Sequence, residues 1–572
     1  MTHNPPYRRT LSWQMVLGIV AVLLFYACAN VVAPTGGPRD TEPPAVVRST
    51  PPNHSANFDG DAIRIFFDEF VELRNIRQQL LISPPLEEAP EVRIRGRSVI
   101  VEIEEDLRSN TTYNFFFGDA IRDITEGNPI PNFQFVVSTG NYVDSLALSG
   151  RVKNAFNLRP EEGIYVMLYE NIHDSVPYLE RPVYLAKTDK EGRFTISNMS
   201  EGDYLMFALD DNNNNFLYDL PDERIGFLDS LVRPKHIPGL TEGVEDDTLS
   251  IPDPGPKYTL YLFREVDTVQ RVTSSSLTKK GLITIAFRVP FDSAHVRDLR
   301  DPPLVSSWHI PEFSQGKDTL KLWFAETGRD SLFLEVLDGD LILDTIRRST
   351  TPRRTRETDA TEAPPVLNIS PDFRRASAVP FYQPLTLKSE HPVEAIDTSK
   401  IQLFIHDSIP VWSNFRFKDH VRRSITMEPA LEEGTSYLLE AMPGAFTDIF
   451  GLTNDTLASR FKTTLLENYG NLIVDLALPP NGLQYILQLL DRNLEVMREQ
   501  IVLEGGSYTF YHLRAGQYRV RLIEDHQQSG QWDPGNYLRK VQPEPVHMLP
   551  DTIQIRENWD VQMPWIISPR SP

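Results

Sequence analysis

Gly192-Arg193-Phe194-Thr195-Ile196 returns 314 residues later as Gly506-Ser507-Tyr508-Thr509-Phe510, and this repeat indicates how the chain folds. The same spacing (506 − 192, 525 − 211 and 533 − 219) relates three further pairs of stretches, which are 201–204 with 515–518, 209–211 with 523–525, and 218–219 with 532–533. Matches that keep one register without a gap indicate a duplicated module.

Side chains alternate within this repeated stretch. Phe194 and Ile196 are separated by polar residues, and the alternation resumes at Tyr204 and Met206. Alternation of this kind is typical of half-buried β-strands. Gly202, which lies between the two runs, can adopt the positive φ of a tight turn. The pattern therefore predicts a β-hairpin in each copy.

The repeat resembles a known family through Thr188-Asp189, Gly192, Phe194, Gly202 and Tyr204. These residues are similar to the carboxypeptidase-regulatory-like family, a small transthyretin-like β-sandwich that is an accessory domain and implies no peptidase activity. The resemblance implies two such domains, at 145–250 (here the N-terminal repeat) and 468–567 (the C-terminal repeat). Alignment of the copies predicts a hairpin over 485–501, although that segment also fits an amphipathic helix.

A second repeat type begins with paired prolines, Pro43-Pro44 and Pro364-Pro365. Further matches follow, which are Thr112-Tyr113 with Ser436-Tyr437 and Asp123-Ile124 with Asp448-Ile449. This layout resembles the SbsA-type bacterial Ig-like domain of lipoproteins. The resemblance implies Ig-like domains at 45–140 and 361–465, with a diverged relative at 258–350. We therefore predict an all-β chain, a tandem array of about five small β-sandwich modules.

The amino-terminal segment has the features of a secretory signal. Arg8 and Arg9 precede an apolar run over 15–25, which is shorter than the roughly 20 residues of a membrane-spanning helix. Ala27-Cys28 follows and resembles the lipobox of bacterial lipoproteins, which implies that Cys28 is acylated. We predict a signal peptide over 1–27 and a lipidated tether over 28–44, with an unlipidated signal peptide as the alternative.

Composition excludes several classes of function. The chain has 57 basic and 79 acidic residues, a net charge of −22, so it lacks the basic character of an electrostatic nucleic-acid binder. Cys28 is the only cysteine, which leaves no disulfide. The sequence contains no zinc-helix histidine pair, nucleophile elbow or phosphate-binding glycine loop. A pair of carboxylates far apart in the chain remains open as a hydrolase site.

The candidate metal site is an acidic, asparagine-rich stretch, and no other cofactor is expected. Its ligands would be Asp211, Asn213, Asn215, Asp219 and Asp222, which have the oxygen-ligand spacing of a calcium loop. The stretch departs from a calcium loop at two positions. An apolar residue occupies the position where the loop has glycine, and an aspartate replaces the bidentate glutamate. We expect the second copy, which reads Glu524-Asp525-His526-Gln527-Gln528, to keep the register and to lose most of the carboxylates. The alternative is that Asn and Asp residues cap turns here.

These features predict a non-enzymatic, lipid-anchored cell-envelope protein that serves as a spacer and interaction scaffold. Ala29 follows Cys28 and the first acidic residue is Asp40, which favours the outer membrane of a Gram-negative cell and its periplasmic face. The partners would be the membrane, through the anchor, and envelope proteins or glycans. One alternative is a surface-exposed, adhesin-like lipoprotein that binds glycans or proteins, with Trp532 at a predicted turn as the candidate ligand-binding residue. The other is the hydrolase with dispersed carboxylates.

Overall fold

The computed structural model describes residues 40–237, 257–266, 269–305, 307–325, 327–350, 365–373 and 378–568. The predicted signal peptide and Cys28 lie outside these ranges. In the described residues the chain is built of strands, and its α-helices are single turns at α1 (Ile76–Gln79) and α2 (Val176–Leu179). The prediction of an all-β fold made of many small sheets is confirmed. The chain forms two compact units, the first mainly up to Ala147 and the second mainly from Leu148 onward.

The first unit contains the first predicted Ig-like module. Its strands are β1 (Val46–Thr50), β2 (Ala62–Phe67), β3 (Val71–Leu73), β4 (Leu81–Ser83), β5 (Glu91–Arg95), β6 (Ser98–Glu102), β7 (Thr112–Gly118), β8 (Ile121–Asp123) and β9 (Phe133–Ser138). They form sheets in the orders β1-β2-β6-β5, β4-β7-β9 and β3-β8. Alternate side chains such as Ile65, Val99, Phe115 and Val137 form one fully buried core. Their removal from water is the main stabilising contribution to this module.

The second unit begins with the N-terminal repeat. Its strands are β10 (Leu146–Asn154), β11 (Tyr165–Tyr169), β12 (Tyr184–Lys187), β13 (Arg193–Met199), β14 (Leu205–Asp210), β15 (Arg224–Phe227) and β16 (Tyr258–Leu262). The sheets have the orders β13-β10-β16 and β12-β11-β14-β15. Because β16 pairs in parallel with β10, we assign 258–262 to this repeat rather than to the module predicted over 258–350.

Two modules that the sequence predicts to be Ig-like follow in the second unit. The middle module has β17 (Val272–Lys279), β18 (Leu282–Phe287), β19 (Ala294–Asp298), β20 (Ile310–Phe313), β21 (Thr319–Trp323), β22 (Ser331–Asp338) and β23 (Leu341–Ser349). The fourth module has β24 (Ile369–Pro371), β25 (Leu385–Ser389), β26 (Val393–Ile396), β27 (Ile401–Ile405), β28 (Ile409–Val411), β29 (Phe415–Phe417), β30 (Ser424–Met427), β31 (Ser436–Ala441), β32 (Phe446–Asp448) and β33 (Leu457–Lys462). Single 3-10 turns lie at Thr398–Lys400 and Leu466–Asn468.

The C-terminal repeat completes the second unit. Its strands are β34 (Tyr469–Ala477), β35 (Gln484–Leu490), β36 (Val496–Val502), β37 (Gly506–Arg514), β38 (Gly516–Asp525), β39 (Val546–Met548), β40 (Ile553–Ile555) and β41 (Asp560–Ile566). The sheet orders β37-β34-β41 and β36-β35-β38-β39 repeat those of the N-terminal repeat. The two stretches are therefore copies of one fold. Strands β35 and β36 pair antiparallel, so the hairpin predicted over 485–501 is confirmed.

The hairpin predicted around Gly202 is wrong. Strand β13 lies in the sheet of β10, whereas β14 lies between β11 and β15 in the other sheet. Alternation indicates only that one face of a strand is buried, and it does not specify the strand's partner. The turn glycine is Gly192 instead, which has a φ of +70° and a Cα whose added Cβ would lie 2.5 Å from the carbonyl oxygen of Val152.

The first and fourth modules share a strand order and a local hydrogen bond made by a tyrosine hydroxyl. The fourth module's sheet β24-β25-β30-β29 matches β1-β2-β6-β5, and its pair β26-β32 matches β3-β8. The hydroxyl of Tyr113 accepts the backbone N–H of Arg108 at 2.9 Å, and that of Tyr437 accepts the N–H of Glu432 at 2.7 Å. Such a tyrosine fixes the chain at one end of a sandwich. The second repeat type is therefore also a structural repeat.

Candidate metal centres and the contact between the two repeats

The loop after β14 contains all five predicted calcium ligands. The carboxylate of Asp211, which is 9% exposed, accepts the backbone N–H groups of Asn213 at 3.2 Å, Asn214 at 2.7 Å and Phe216 at 2.8 Å. These bonds hold the loop in a tight curl, as aspartate does at the start of many turns.

The other predicted ligands bond mainly to one another. Asp219 accepts the side-chain amides of Asn213 at 3.1 Å and Asn215 at 2.8 Å, and Asp222 accepts that of Asn212 at 3.3 Å. A calcium ion would need the amide oxygens and carboxylates turned toward one point. In this arrangement the amide nitrogens face the carboxylates, so calcium binding at this loop stays a prediction.

Glu223 is the acidic residue of this loop that the sequence did not single out. It is fully buried, and its carboxylate accepts the backbone N–H groups of Asn212, Asp219 and Leu220 at 3.1–3.2 Å. Burial raises the pKa of Glu223, and the three backbone N–H groups oppose that shift by stabilising the charged form. The side chain therefore ties the two ends of the acidic loop together.

The C-terminal repeat keeps this arrangement with different residues. Asp525, Asp533 and Glu544 each place a carboxylate oxygen within 4.8 Å of the others. Glu544 accepts the N–H groups of His526 at 2.8 Å, Gln527 at 3.2 Å and Asp533 at 3.0 Å, so it has the role that Glu223 has in the first copy. The expectation that this copy loses most of its carboxylates is wrong, because Asp525 and Asp533 occupy the positions of Asp211 and Asp219, and Glu544 joins them from outside the matched stretch.

These three carboxylates are the group in the described residues that could hold a cation. Asp525 is fully buried and Glu544 is 5% exposed, and burial raises the pKa of Glu544. Three oxygens so close together suit a hard cation such as calcium. However, Asp525 already accepts the N–H groups of Ser529 and Gly530 at 2.9 Å. As in the first copy, the carboxylates order a loop.

Trp532, the predicted ligand-binding residue, lies next to this cluster. Its indole N–H donates to the carbonyl oxygen of Glu544 at 3.0 Å. Its ring lies 5.0 Å from the ring of Phe156, which belongs to the N-terminal repeat. The structure thus places Trp532 where the two repeats meet, and it is half-buried there.

Phe156 forms part of the first half of the contact between the repeats. The outer face of β35, β38 and β39 carries a buried apolar cluster of Ile486, Ile523 and Val546. Phe156 and Leu158, from the loop after β10, pack against this cluster. The N-terminal repeat thus covers one face of the C-terminal repeat's sheet.

A buried arginine completes this half of the contact. Arg521 is 2% exposed, its guanidinium lies 3.9 Å from the centroid of the Phe156 ring, and its Nε donates to Gln488 at 2.7 Å. Burial lowers the pKa of Arg521 to about 10. A guanidinium stacked on an aromatic face in this way gains a cation–π interaction that is stronger away from water.

In the second half of the contact, a loop of the C-terminal repeat packs on a face of the N-terminal repeat. Tyr537, in the loop between β38 and β39, is 1% exposed and packs edge-on against Phe207 at 5.1 Å and Phe227 at 5.2 Å between ring centroids. Its backbone N–H donates to Glu265. Lys540 pairs with Asp174 at 2.8 Å near the edge, where that bond lowers the pKa of Asp174.

The two halves use corresponding faces of the duplicated fold. Phe207 and Arg521 are separated by the 314-residue offset, and each lies opposite the matching position of the neighbouring strand, Met167 and Gln488 respectively. Each repeat therefore covers the same face of the other with a loop of its own. The sequence signal for this was the apolar character of Phe207 and Ile523 on the strand face expected to be polar.

Comparison with known proteins bears on the first module. Residues 40–139 match the family model described as bacterial Ig-like domain. No curated protein matches the chain. In the described part of the chain, no helix is long and apolar enough to cross a membrane. The chain is thus an all-β protein that carries a bacterial Ig-like domain, followed by further small sheets that include a duplicated module.

Three solved structures have a low overall similarity to this chain. Alpha-2-macroglobulin from Escherichia coli, domains MG0-NIE-MG1, is 12% identical and covers 45% of this chain and 97% of that one, with a TM-score of 0.19. BcpA, the major pilin subunit of Bacillus cereus, is 9% identical over 73% and 98%, with a TM-score of 0.14. The S-layer protein rSbsC(31-844) is 10% identical over 90% and 67%, with a TM-score of 0.15. Scores this low carry no argument about function.

Proposed function

We propose that this protein is a non-enzymatic cell-envelope scaffold, anchored to the outer membrane by lipid on Cys28. Its Ig-like modules and paired repeats would hold interaction surfaces at a fixed distance from the membrane. The lipobox-like Ala27-Cys28 supports the anchor, and the residues that follow it support the periplasmic face. The bacterial Ig-like domain at 40–139 fits a modular envelope protein.

The observation that carries the proposal is the reciprocal contact between the two repeats. Its buried aromatic and charged groups, such as Tyr537 and Arg521, join modules that are far apart in the sequence. Buried aromatic and arginine side chains at the centre of a contact are the residues that dominate interface energies. The acidic loops of both repeats likewise use their carboxylates to order backbone. A buried contact of this kind, together with loops ordered by carboxylates, suits a protein that keeps its modules in fixed positions.

The anchor is tested by metabolic labelling with palmitate in cells that produce the chain or its Cys28→Ser variant. The proposal predicts label on the natural chain, recovery in the outer-membrane fraction, and loss of both in the variant. Ala27→Ser is the matched control, because a small residue before the cysteine keeps the cleavage site usable. An unlabelled natural chain found in the medium would exclude the anchored scaffold.

A second candidate function, binding of glycans or proteins, is favoured by Trp412. This side chain is 76% exposed at the end of the β27–β28 hairpin, and Ile409 of the same hairpin is 58% exposed. An exposed aromatic ring can stack on a sugar or fill a partner's pocket. Binding to an immobilised glycan panel that Trp412→Ala abolishes and Trp559→Ala leaves unchanged would support this function. Equal binding by both variants would reject Trp412 as the site.

A further inference from the structure

We propose that the first module binds the anionic phospholipid surface of a membrane through the outer face of its sheet β1-β2-β6-β5. This outer face, here called the arginine face, carries Arg48, Arg64, Arg93 and Arg95. The partner is a lipid bilayer whose phosphate headgroups have a net negative charge. The inference deepens the proposed function, on which it rests for the presence of a membrane, by adding a contact that does not need the lipid on Cys28.

The arginine face lies on the side of the sheet opposite to the core. In β2 and β6, residues such as Ile65 and Val99 belong to the buried core, and Val46 of β1 and Val92 of β5 pack against it. Successive side chains of a strand point to opposite faces of the sheet, so Arg64 points away from that core. All four arginines are exposed.

The arginines occupy two neighbouring rows that cross the four strands. The rows are Thr50, Arg64, Ile100 and Arg93 in the first, and Arg48, Phe66, Ser98 and Arg95 in the second. Four of these eight positions are therefore arginine, and none is acidic. Glu91 and Glu102 lie in the row on the other side of the first, where Glu102 pairs with Arg93. The face as a whole keeps a positive charge.

The guanidinium groups of this face are available to a ligand. In the described part of the chain, those of Arg64 and Arg95 have no ion-pair partner. That of Arg48 lies 3.6 Å from the centroid of the Phe66 ring. Ile100 is 2% exposed although it lies outside the core, and we attribute this burial to the aliphatic stems of its arginine neighbours, whose charged ends reach water. A guanidinium presents a planar fork of donors that matches the oxygens of a phosphate group.

Charge and position in the sequence favour a membrane as the partner. The chain has a net charge of −22, so a positive face is an exception, and the acidic residues elsewhere are screened beyond about 10 Å. Strand β1 begins at Val46, directly after the tether predicted over 28–44. The corresponding face of the fourth module has Lys388 and Arg416, and Arg416 pairs with Glu428. The four-arginine face therefore belongs to the module that lies next to the predicted anchor.

Sedimentation with lipid vesicles tests the contact. The full-length chain with Cys28→Ser, which cannot be acylated, is mixed with vesicles of phosphatidylcholine and phosphatidylglycerol in equal parts, or of phosphatidylcholine alone. The arginine variant adds Arg64→Gln and Arg95→Gln to this chain. The matched control adds Lys388→Gln and Arg416→Gln, which removes the same charge from the corresponding face of the fourth module.

The Cys28→Ser chain should bind the mixed vesicles more tightly than the phosphatidylcholine vesicles, and added salt should reduce this preference. One arginine near an anionic surface changes the partition coefficient about fivefold, so the arginine variant should bind about 25-fold more weakly. The matched control should bind like the Cys28→Ser chain. So should Arg64→Lys with Arg95→Lys, which keeps both the charge and the aliphatic stems.

Equal binding of the Cys28→Ser chain to both kinds of vesicle would overturn the proposal, and so would an equal loss in the arginine variant and the matched control. Binding to immobilised dextran sulfate without a preference for the mixed vesicles would assign the face to an anionic glycan and likewise overturn it. None of these results bears on the lipid anchor, because every chain in the experiment lacks Cys28 and palmitate labelling of the natural chain tests the anchor separately.

Discussion

Replacing Tyr537 by alanine should release the two repeats from each other. The side chain is 1% exposed, lies against Phe207 and Phe227 at just over 5 Å, and belongs to a loop that also bonds to Glu265. Its ring packs against two aromatic rings of the N-terminal repeat. The outer face of β14 and β15 would lose its cover.

The size of the effect follows from the burial of the ring. Truncation of a buried aromatic side chain to alanine costs about 3–5 kcal/mol. That loss falls on the contact between the repeats rather than on either core, so it appears as a shift from the paired to the separated arrangement. At about 1.4 kcal/mol per factor of ten, the separated population should increase roughly 150- to 4,000-fold.

Hydrogen exchange followed by mass spectrometry measures this shift directly. In Tyr537→Ala, peptides that contain Phe156 or the end of β38 should exchange faster than in the natural chain, because separation exposes both. Tyr537→Phe keeps the ring and should exchange like the natural chain, and Tyr511→Ala, at a side chain 58% exposed, controls for loss of an aromatic ring elsewhere. Unchanged exchange at the Phe156 loop in Tyr537→Ala would show that the Tyr537 ring does not hold the two repeats together.

Three further outcomes are expected. Glu223→Gln should destabilise the chain by about 1–3 kcal/mol, because an amide has one acceptor oxygen and cannot accept all three backbone N–H groups. Thermal unfolding measures this, with exposed Glu201→Gln as control, and equal melting temperatures would contradict it. Glu524, near the end of β38, lies within hydrogen-bonding distance of His547 at 2.7 Å and His526 at 3.2 Å. Burial raises the pKa of Glu524, but the bonds from these two histidines lower it below the ordinary 4.5, so its contribution to stability is present above that pH and is lost as the pH falls through the lowered pKa. Urea unfolding at decreasing pH should show this loss in the natural chain and a flatter profile in Glu524→Gln. Millimolar calcium should give calorimetric heat and a higher melting temperature that Asp211→Asn removes, and no heat would end the calcium prediction.

The sequence predicted those features that rest on local pattern. The 314-residue offset identified the two repeats, and the structure gives them the same strand orders. The alignment also predicted the β35–β36 hairpin against a competing helix, because a duplicated fold outweighs local propensity. In each case the information lay in neighbouring residues or in a direct comparison of two stretches.

Features that depend on distant partners were missed. The two strands flanking Gly202 alternate apolar and polar side chains as expected, but they belong to different sheets. Alternation alone cannot distinguish a hairpin from two strands in separate sheets. Glu544 could not be assigned to its carboxylate cluster, because no motif links it to Asp525 and Asp533. Arg521 looked like a solvent-facing residue of an alternating strand, and only the packing of Phe156 from the other repeat explains its burial.

Photocrosslinking in living cells, from a benzophenone-bearing phenylalanine placed at position 537, tests the pairing of the two repeats directly. We expect the label to join the C-terminal repeat to peptides of the N-terminal repeat that contain Phe207 or Phe227, in chains recovered from the outer membrane. Crosslinks to those peptides support paired repeats within an envelope scaffold. A label that reacts only with solvent or with unrelated proteins would contradict the pairing of the two repeats.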